Sequence, residues 1–292
     1  MRTPSVNRYR SLLCRAFAGM LLAAPVARAD DGLEFQGVWR QGGMVIGRVA
    51  PTARVTLDRK AVPVSPEGHF VVGLGRDAPA SATLIVTDPL GPRHYRFNVE
   101  RRSYQVQRVD GVPERTVTPP PEVMERIRRE QELVNRARAV NSPRRDFLAG
   151  FSRPLDGPIT GVYGSLRVYN GVPKNPHFGL DIAAPTGTLV RAPAPGVVRL
   201  AQPDLYFSGG TLIVDHGQGL TSSFIHLSAI LVKEGDELAR GDPIARVGAT
   251  GRATGPHLDW RMNWFDVRLD PALVLEYFPA TAGERTALRR QP

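Results

Sequence analysis

Three short clusters of histidine and aspartate follow one another in the second half of the chain, and their residue types suit metal chemistry. They are His177-Phe-Gly-Leu-Asp181, Phe224-Ile-His226 and His257-Leu-Asp259. On a strand, side chains two or four residues apart point to the same face, so each His/Asp cluster can direct two polar groups to one place. Imidazole nitrogen and carboxylate oxygen both bind catalytic zinc, which takes three protein ligands and keeps one position open for water. The clusters therefore predict a metallohydrolase.

The elements that must position these residues are short β-strands between residues 147 and 280. Glycine and proline punctuate this region, as in the runs Gly187–Val190, Gly196–Leu200, Gly210–Asp215 and Asp242–Val247. Many short strands with frequent turns are typical of an antiparallel sandwich or barrel. We predict that residues 147–280 form one such domain and that the polar residues 281–292 form a flexible tail.

Two further regions precede this domain. Residues 30–115 alternate polar and apolar side chains, as in Arg54–Asp58 and Tyr95–Val99, and turn signals separate such runs, which predicts a small Ig-like β-sandwich. Residues 116–146 form a proline-rich linker and a helix, Glu122–Val140, with an apolar stripe. The whole chain is therefore predicted to be mainly β. We interpret the helix as a connector between domains; an arginine-rich arm on an anionic surface is the alternative.

The first 29 residues have the pattern of a secretory signal peptide. A basic start is followed by the apolar run Ala16–Ala24, and Ala27-Arg-Ala29 fits a cleavage site. The apolar run is too short for a stable membrane span, although an uncleaved anchor is an alternative. The chain's single cysteine, Cys14, lies inside this segment, so the mature protein would contain neither a disulfide nor a thiol nucleophile. We predict a periplasmic or secreted protein with no stable membrane insertion after cleavage.

Charge and motifs narrow the classes of partner. The formal net charge is +10, and removing the signal segment with its five arginines lowers it to +5. A mildly basic exported protein suits an anionic partner such as a cell wall. The arginines are scattered and no nucleic-acid-binding motif is present, so nucleic acid is not an expected partner. The sequence also contains no H-E-x-x-H motif, so proton transfer in a metal site would depend on the histidines.

Beyond the three clusters, the same region carries an ordered series of short motifs. They are Ala184-Pro-x-Gly-Thr-x-Val190, Gly196-Val-Val, Asp215-His-Gly-x-Gly219, Phe224-x-His226-Leu-Ser228, Val232-Lys-x-Gly-Asp236, Gly241-Asp-x-Ile244 and Thr250-Gly-Arg-x-Thr-Gly-Pro-His257. Together they resemble the M23 family of zinc metallopeptidases, the LytM or lysostaphin-type peptidoglycan endopeptidases, over roughly residues 153–275. The resemblance implies a mostly antiparallel β fold with a groove that holds zinc.

The resemblance also implies roles for individual residues. His177 and Asp181 correspond to zinc ligands, and His226 corresponds to the family's catalytic histidine. His257 corresponds to the first histidine of the family's His-x-His motif and would act as general base or orient the water. The second histidine of that motif is normally the third zinc ligand, and here the position is Asp259.

Aspartate is a competent zinc ligand, so the expected set is His177, Asp181 and Asp259 with one Zn²⁺ per chain. Two carboxylates should weaken the metal as a Lewis acid and favour competition by Mn²⁺ or another divalent metal.

Several neighbouring residues allow two interpretations. Tyr163 and Tyr169 precede His177, and either could stabilise an oxyanion. Arg252 and Arg261 flank the last cluster and could meet substrate carboxylates or lie exposed on the surface. His216 is interpreted as structural.

The predicted function is an exported zinc-dependent endopeptidase that hydrolyses peptide cross-links of peptidoglycan with metal-activated water. The alternative is a catalytically degenerate domain that binds the cell wall or activates another hydrolase, and Asp259 is its support in the sequence. A third alternative is a biotinyl- or lipoyl-like carrier, which the motif Val232-Lys-x-Gly-Asp236 suggests. Such carriers present a modifiable lysine at a hairpin tip, whereas Lys233 lies at the start of its motif. The N-terminal region could shield the groove, bind the wall or act as a spacer. The sequence assigns neither the bond cleaved nor an oligomeric state.

Overall fold

The computed structural model describes residues 27–28, 33–110, 119–173 and 175–280. Apart from Ala27–Arg28, the predicted signal segment lies outside the described residues, as does the predicted tail 281–292. The described chain is mainly β, with two sheet-rich parts joined by one long helix, which confirms the predicted fold class. Within the described residues, no helix is both long and apolar enough to cross a membrane.

The N-terminal part is a sandwich of two four-stranded antiparallel sheets. The strands are β1 Ala27–Arg28, β2 Glu34–Gly37, β3 Met44–Arg48, β4 Arg54–Leu57, β5 Lys60–Val62, β6 His69–Gly73, β7 Ser81–Asp88 and β8 Gly91–Asn98. One sheet has the order β1-β2-β3-β6 and the other β5-β4-β7-β8. Burial alternates along β7, where Ala82, Leu84 and Val86 are buried, as expected for a strand with one face on a core.

The connector begins with a 3-10 turn at Pro121–Val123 and continues as helix α1, Met124–Arg138. One face of the helix is buried against the C-terminal part. Its Leu133, Val134 and Ala137 pack against apolar side chains of the C-terminal part. Glu130 also accepts a hydrogen bond from the Tyr206 backbone N–H at 2.7 Å. The helix is therefore held along its length against the C-terminal sheet, and its last residue, Arg138, is only 9% exposed.

The C-terminal part contains the strands β9 Val106–Val109, β10 Ile159–Gly161, β11 Leu166–Tyr169, β12 Val172–Pro173, β13 Leu180–Ala183, β14 Leu189–Arg191, β15 Gly196–Leu205, β16 Gly209–Gly217, β17 Leu220–Leu227, β18 Ala229–Ile230, β19 Glu237–Leu238, β20 Pro243–Arg246, β21 His257–Trp264 and β22 Val267–Leu269. It is built on one large antiparallel sheet with the order β10-β13-β21-β17-β16-β15-β19, and β22 pairs with β21. Two three-stranded sheets, β12-β11-β9 and β14-β20-β18, flank this sheet, and helix α2, Pro271–Tyr277, follows β22.

The two sheet-rich parts share one hydrophobic core. Strand β6 lies against β21 and β22 so closely that a Cβ on Gly73 would come within 2.9 Å of Trp264 and Leu269 side-chain atoms. Arg76, just after β6, donates from Nε to the Gly164 carbonyl at 2.8 Å. The N-terminal sandwich therefore supports the loop between β10 and β11.

Candidate functional site

The pairing of β13 with β21 brings two carboxylates together at the sheet surface. Asp181 lies directly opposite Asp259 in the register. Directly opposed side chains in an antiparallel pair lie about 5 Å apart at Cβ, close enough to share one ligand. Both residues are buried, with 5% and 1% of their surface exposed. The register therefore creates the acidic half of the site.

His177 completes this cluster from a loop. Its Nε2 lies 2.9 Å from Asp181 Oδ1 and 3.3 Å from Asp259 Oδ2. The spacing suggested that His177 and Asp181 meet by strand alternation. His177 instead precedes β13, so the loop 177–179 and its contacts position the histidine. Two backbone contacts hold the loop: the His177 N–H donates to the Ser165 carbonyl at 2.8 Å, and Nδ1 lies 3.2 Å from the Val162 carbonyl.

Two glycines make room for the carboxylates. A Cβ on Gly161 would lie 2.1 Å from Asp181 Oδ2, and a Cβ on Gly179 would lie 2.0 Å from Asp259 Oδ1. Any side chain at either position would displace a carboxylate. Neither glycine could be recognised from the sequence, because a close approach of the backbone to a neighbouring side chain leaves no signal in spacing alone.

Arg261 is an additional member of the cluster. Its Nη2 donates to Asp259 Oδ2 at 2.6 Å, and its Nε lies 3.0 Å from Oδ1. Asp259 and Arg261 are two residues apart on β21 and therefore project from the same face of the sheet. The arginine was expected to meet substrate or solvent; instead it holds an internal carboxylate.

His257 and His226 form the other side of the site. Their ring centroids are 4.9 Å apart, and His257 Nε2 is 4.0 Å from Asp181 Oδ1. In each ring Nδ1 lies 2.8 Å from a backbone carbonyl oxygen, of Gly255 for His257 and of Thr250 for His226. A carbonyl can only accept, so Nδ1 carries the proton in both rings. In the neutral form of either ring, the lone pair of Nε2 is therefore available as an acceptor.

The backbone of His226 explains how this side chain comes to lie beside His257. Its φ is +65°, a left-handed conformation that is unusual for a residue other than glycine, and the pairing of β16 with β17 shifts register nearby. Regular alternation would point His226 away from the face that carries Asp259. An irregularity of this kind re-aims a side chain, and such backbone conformations concentrate at functional sites.

Burial and charge set the protonation of the histidines. Burial alone would lower the pKa of His177, but the Asp259 and Asp181 carboxylates beside it raise that pKa to about 8. Burial dominates at His226 and lowers its pKa to about 4, so this ring is neutral at pH 7. The pKa of Asp259 is held well below its usual range, because Arg261 and His177 outweigh its burial.

Other residues that the sequence analysis named take structural positions. The Tyr163 hydroxyl donates to the Arg268 carbonyl at 2.8 Å, so it has no proton left for an oxyanion. The Tyr169 side chain lies outside the described residues. His216 is fully buried between the Pro195 carbonyl and the Ser222 hydroxyl, in agreement with its structural interpretation.

The donor set of His177, Asp181 and Asp259 fits a metal ion. One atom from each residue lies within 4.8 Å of the other two, and all three residues are buried. The Nδ1 proton of His177 is directed to a carbonyl, so Nε2 faces the two carboxylates as a potential ligand. One nitrogen and two carboxylates are ligands that zinc accepts.

A buried cluster of one imidazole and two carboxylates beside two further histidines could hold a metal ion that activates water for hydrolysis. Comparison with known proteins places the chain among peptidases. The model of peptidase family M23 matches residues 175–271. The chain aligns with the crystal structure of a Pseudomonas aeruginosa protein assigned to peptidase M23, with a TM-score of 0.64 and 35% sequence identity. The alignment covers 82% of this chain and 95% of the Pseudomonas chain. This chain belongs to peptidase family M23.

Curated relatives match the same region. Peptidoglycan DD-endopeptidase ShyA of Vibrio cholerae is 41% identical over 87 residues, which cover 30% of this chain and 20% of that protein. ShyB of the same organism is 36% identical over 123 residues, covering 42% and 26%. DD-carboxypeptidase/endopeptidase Mpg of Neisseria meningitidis is 42% identical over 98 residues, covering 34% and 22%. The matched region thus spans about a quarter or less of these relatives.

Proposed function

We propose that this protein is an exported, zinc-dependent endopeptidase that hydrolyses peptide cross-links of peptidoglycan. The observation that carries the proposal is the position of His177 Nε2, 2.9 Å and 3.3 Å from oxygens of the two opposed carboxylates. Family membership supports peptidase chemistry, and the names of the relatives ShyA and ShyB support peptidoglycan as the substrate. The predicted signal segment supports a periplasmic or secreted location.

In this proposal His177, Asp181 and Asp259 hold the metal. A zinc ion there would lower the pKa of a water molecule and polarise the substrate carbonyl. His257 acts as general base, because its Nε2 faces the cluster and lies 4.0 Å from Asp181 Oδ1. The contact between Nδ1 and the Gly255 carbonyl keeps the ring in one orientation while Nε2 gains and loses a proton. His257 then returns the proton to the leaving amine.

His226 has a different role in the same reaction. At pH 7 it is neutral, with Nδ1–H held by Thr250 and Nε2 available as an acceptor. Its ring stands beside His257, so it can accept a hydrogen bond from the attacking water or from the substrate amide. We assign it the role of orienting the reacting groups.

The first experiment measures metal content and hydrolysis together. The mature protein, residues 30–292, should bind about one zinc per chain and release uncross-linked peptides from purified peptidoglycan. His177→Ala and Asp259→Ala should lose both properties. His94→Ala, an exposed histidine on β8, is the matched control and should keep both. Zinc binding that is unchanged in Asp259→Ala would reject Asp259 as a ligand.

A second candidate function rests on the contact between Asp259 and Arg261. An aspartate already paired with an arginine has less need of a metal, which favours a domain that binds the wall or activates another hydrolase without cutting. That function predicts no bound zinc in the wild type even after zinc is added. It also predicts that His257→Ala binds peptidoglycan as well as the wild type does, which a sacculus pull-down would measure.

A further inference from the structure

A group of arginines lies along the face of β21 that carries the proposed metal ligands. His257, Asp259, Arg261 and Asn263 alternate onto one face of this strand. Arg261 pairs in register with Ser223 of β17, and Asn263 pairs with Arg268 of β22. The face is therefore acidic at one end and basic at the other.

The connector helix supplies one arginine of this group. Arg138, the last residue of α1, lies beside Ser223, with Nη2 3.4 Å from the serine hydroxyl oxygen. Arg268 donates from Nη1 to Asn263 Oδ1 at 3.2 Å. Arg138, Arg268 and Asn263 line a cavity of about 300 Å³ between the end of α1 and β22.

Among the described residues, no carboxylate forms an ion pair with the two arginines that line this cavity. Arg261 is paired with Asp259, but within the described part of the chain neither Arg138 nor Arg268 forms an ion pair. Asp266 also borders the cavity; it is exposed and contacts neither guanidinium as an ion pair. The Arg138 side chain is buried, and its Nε has no hydrogen-bond partner. A buried charged donor without a partner is costly unless a ligand satisfies it.

The electrostatics agree with this geometry. Burial, followed by repulsion from Arg268 and Arg261, pushes the pKa of Arg138 well below its usual range. Burial and the neighbouring Arg261 lower the pKa of Arg268 to about 10. Arginine side chains keep their proton at neutral pH, so these shifts express mainly the cost of burying two guanidinium groups beside a third one. The Asp259 carboxylate offsets this cost only in part, and a bound anion would reduce it further.

We propose that Arg138 and Arg268 form a subsite for a carboxylate of the peptide substrate, and this assignment rests on the proposed function. Asp259 and Asn263 are four residues apart on one strand, which corresponds to roughly 13 Å. An extended peptide spans that distance with about four residues. A peptide whose scissile bond lies at His177, Asp181 and Asp259 can therefore place a carboxylate in the cavity. Guanidinium groups bind carboxylates through charge-assisted hydrogen bonds.

The test compares one cross-linked muropeptide dimer in two forms, with free carboxylates and with the carboxylates converted to carboxamides. For the wild type, amidation should raise KM about tenfold and change kcat less than twofold, because charge-assisted hydrogen bonds are lost far from the reacting bond. Arg138→Gln and Arg268→Gln should each show the raised KM with the free dimer and little further effect of amidation. Arg138→Lys keeps the charge and should recover part of the loss.

Control variants distinguish a loss of carboxylate binding from a loss of folding. Arg136→Gln removes the same charge from an exposed position on the same helix and should behave as the wild type. Thermal unfolding of each variant identifies any that fails to fold. If Arg138→Gln and Arg268→Gln retain the full amidation effect, the subsite is rejected while the endopeptidase activity stands.

A binding assay tests the subsite if the protein proves to have no endopeptidase activity. If the wild type cleaves neither dimer, fluorescence anisotropy with the same labelled dimers decides the subsite. Tighter binding of the free dimer than of the amidated dimer, lost in Arg138→Gln, would keep the subsite in a non-catalytic protein. Equal binding of both dimers by the wild type would reject it.

Discussion

Arg261 holds the Asp259 carboxylate from the side, with Nη2 2.6 Å from Oδ2 and Nε 3.0 Å from Oδ1. This pairing alters the expectation that a second carboxylate weakens the metal as a Lewis acid. With a divalent cation bound, two carboxylates and one guanidinium leave the same net charge as one carboxylate with two neutral histidines. If the proposed site holds a divalent cation, Arg261 would thereby compensate for an aspartate at position 259, where the family normally has a histidine.

The pairing predicts how Arg261→Gln responds to metal. Without metal, this variant leaves Asp259 buried beside a weaker partner, and breaking a buried ion pair costs about 3 kcal/mol. Zinc would supply the missing positive charge, so it should raise the melting temperature of Arg261→Gln by more than it raises that of the wild type. Thermal unfolding in chelator and in zinc measures both shifts, with Arg136→Gln as control. Equal shifts would show that Arg261 does not compensate Asp259.

The raised pKa of His177 predicts the pH dependence of the metal-free protein. The folded pKa of about 8 lies above the unfolded value of 6.5, so the protonated ring stabilises the fold fully below pH 6.5. This contribution, about 2 kcal/mol, should be lost as the pH rises from 6.5 to 8. Urea unfolding in chelator measures it, and the slope should be absent in His177→Ala. Zinc must displace the same proton, so its affinity should rise over this interval.

His226 should be replaceable without loss of metal. His226→Asn tolerates the left-handed backbone and removes the imidazole, so kcat should fall about 100-fold while the zinc content stays near one per chain. His226→Val should also lose activity and should unfold more easily than His226→Asn by about 1 kcal/mol, because a branched side chain disfavours positive φ. A loss of zinc in His226→Asn would instead make His226 a ligand.

Gly179→Ala tests the space that the carboxylates need. The new Cβ would lie 2.0 Å from Asp259 Oδ1, so Asp259 must move and the zinc affinity should fall at least about tenfold. Gly255→Ala is the matched control, because its added Cβ would meet no atom within 4 Å. Competition with a chelating dye measures both affinities. An unchanged affinity in Gly179→Ala would place the metal ligands elsewhere.

Much of the fold follows from local pattern. The polar and apolar alternation at Arg54–Asp58 and the glycine-bounded run Gly210–Asp215 correspond to β4 and β16. The helix predicted over Glu122–Val140 is α1, Met124–Arg138, after a 3-10 turn. The docking of that helix on the sheet was not predicted, because its few apolar residues are compatible with a solvated connector until a partner surface is known.

The sequence by itself predicted which residues can do chemistry, because residue type and order within a recurrent set of motifs point to His177, Asp181, His226, His257 and Asp259. Only the tertiary structure decided how they meet. The register of β13 with β21 opposes the two aspartates, and the left-handed backbone at His226 turns its ring toward His257. The roles of Arg261 and Arg138 also belong to the tertiary structure. An arginine has the same charge wherever it lies in the sequence, and only its packing decides whether it meets solvent, a buried carboxylate or a cavity.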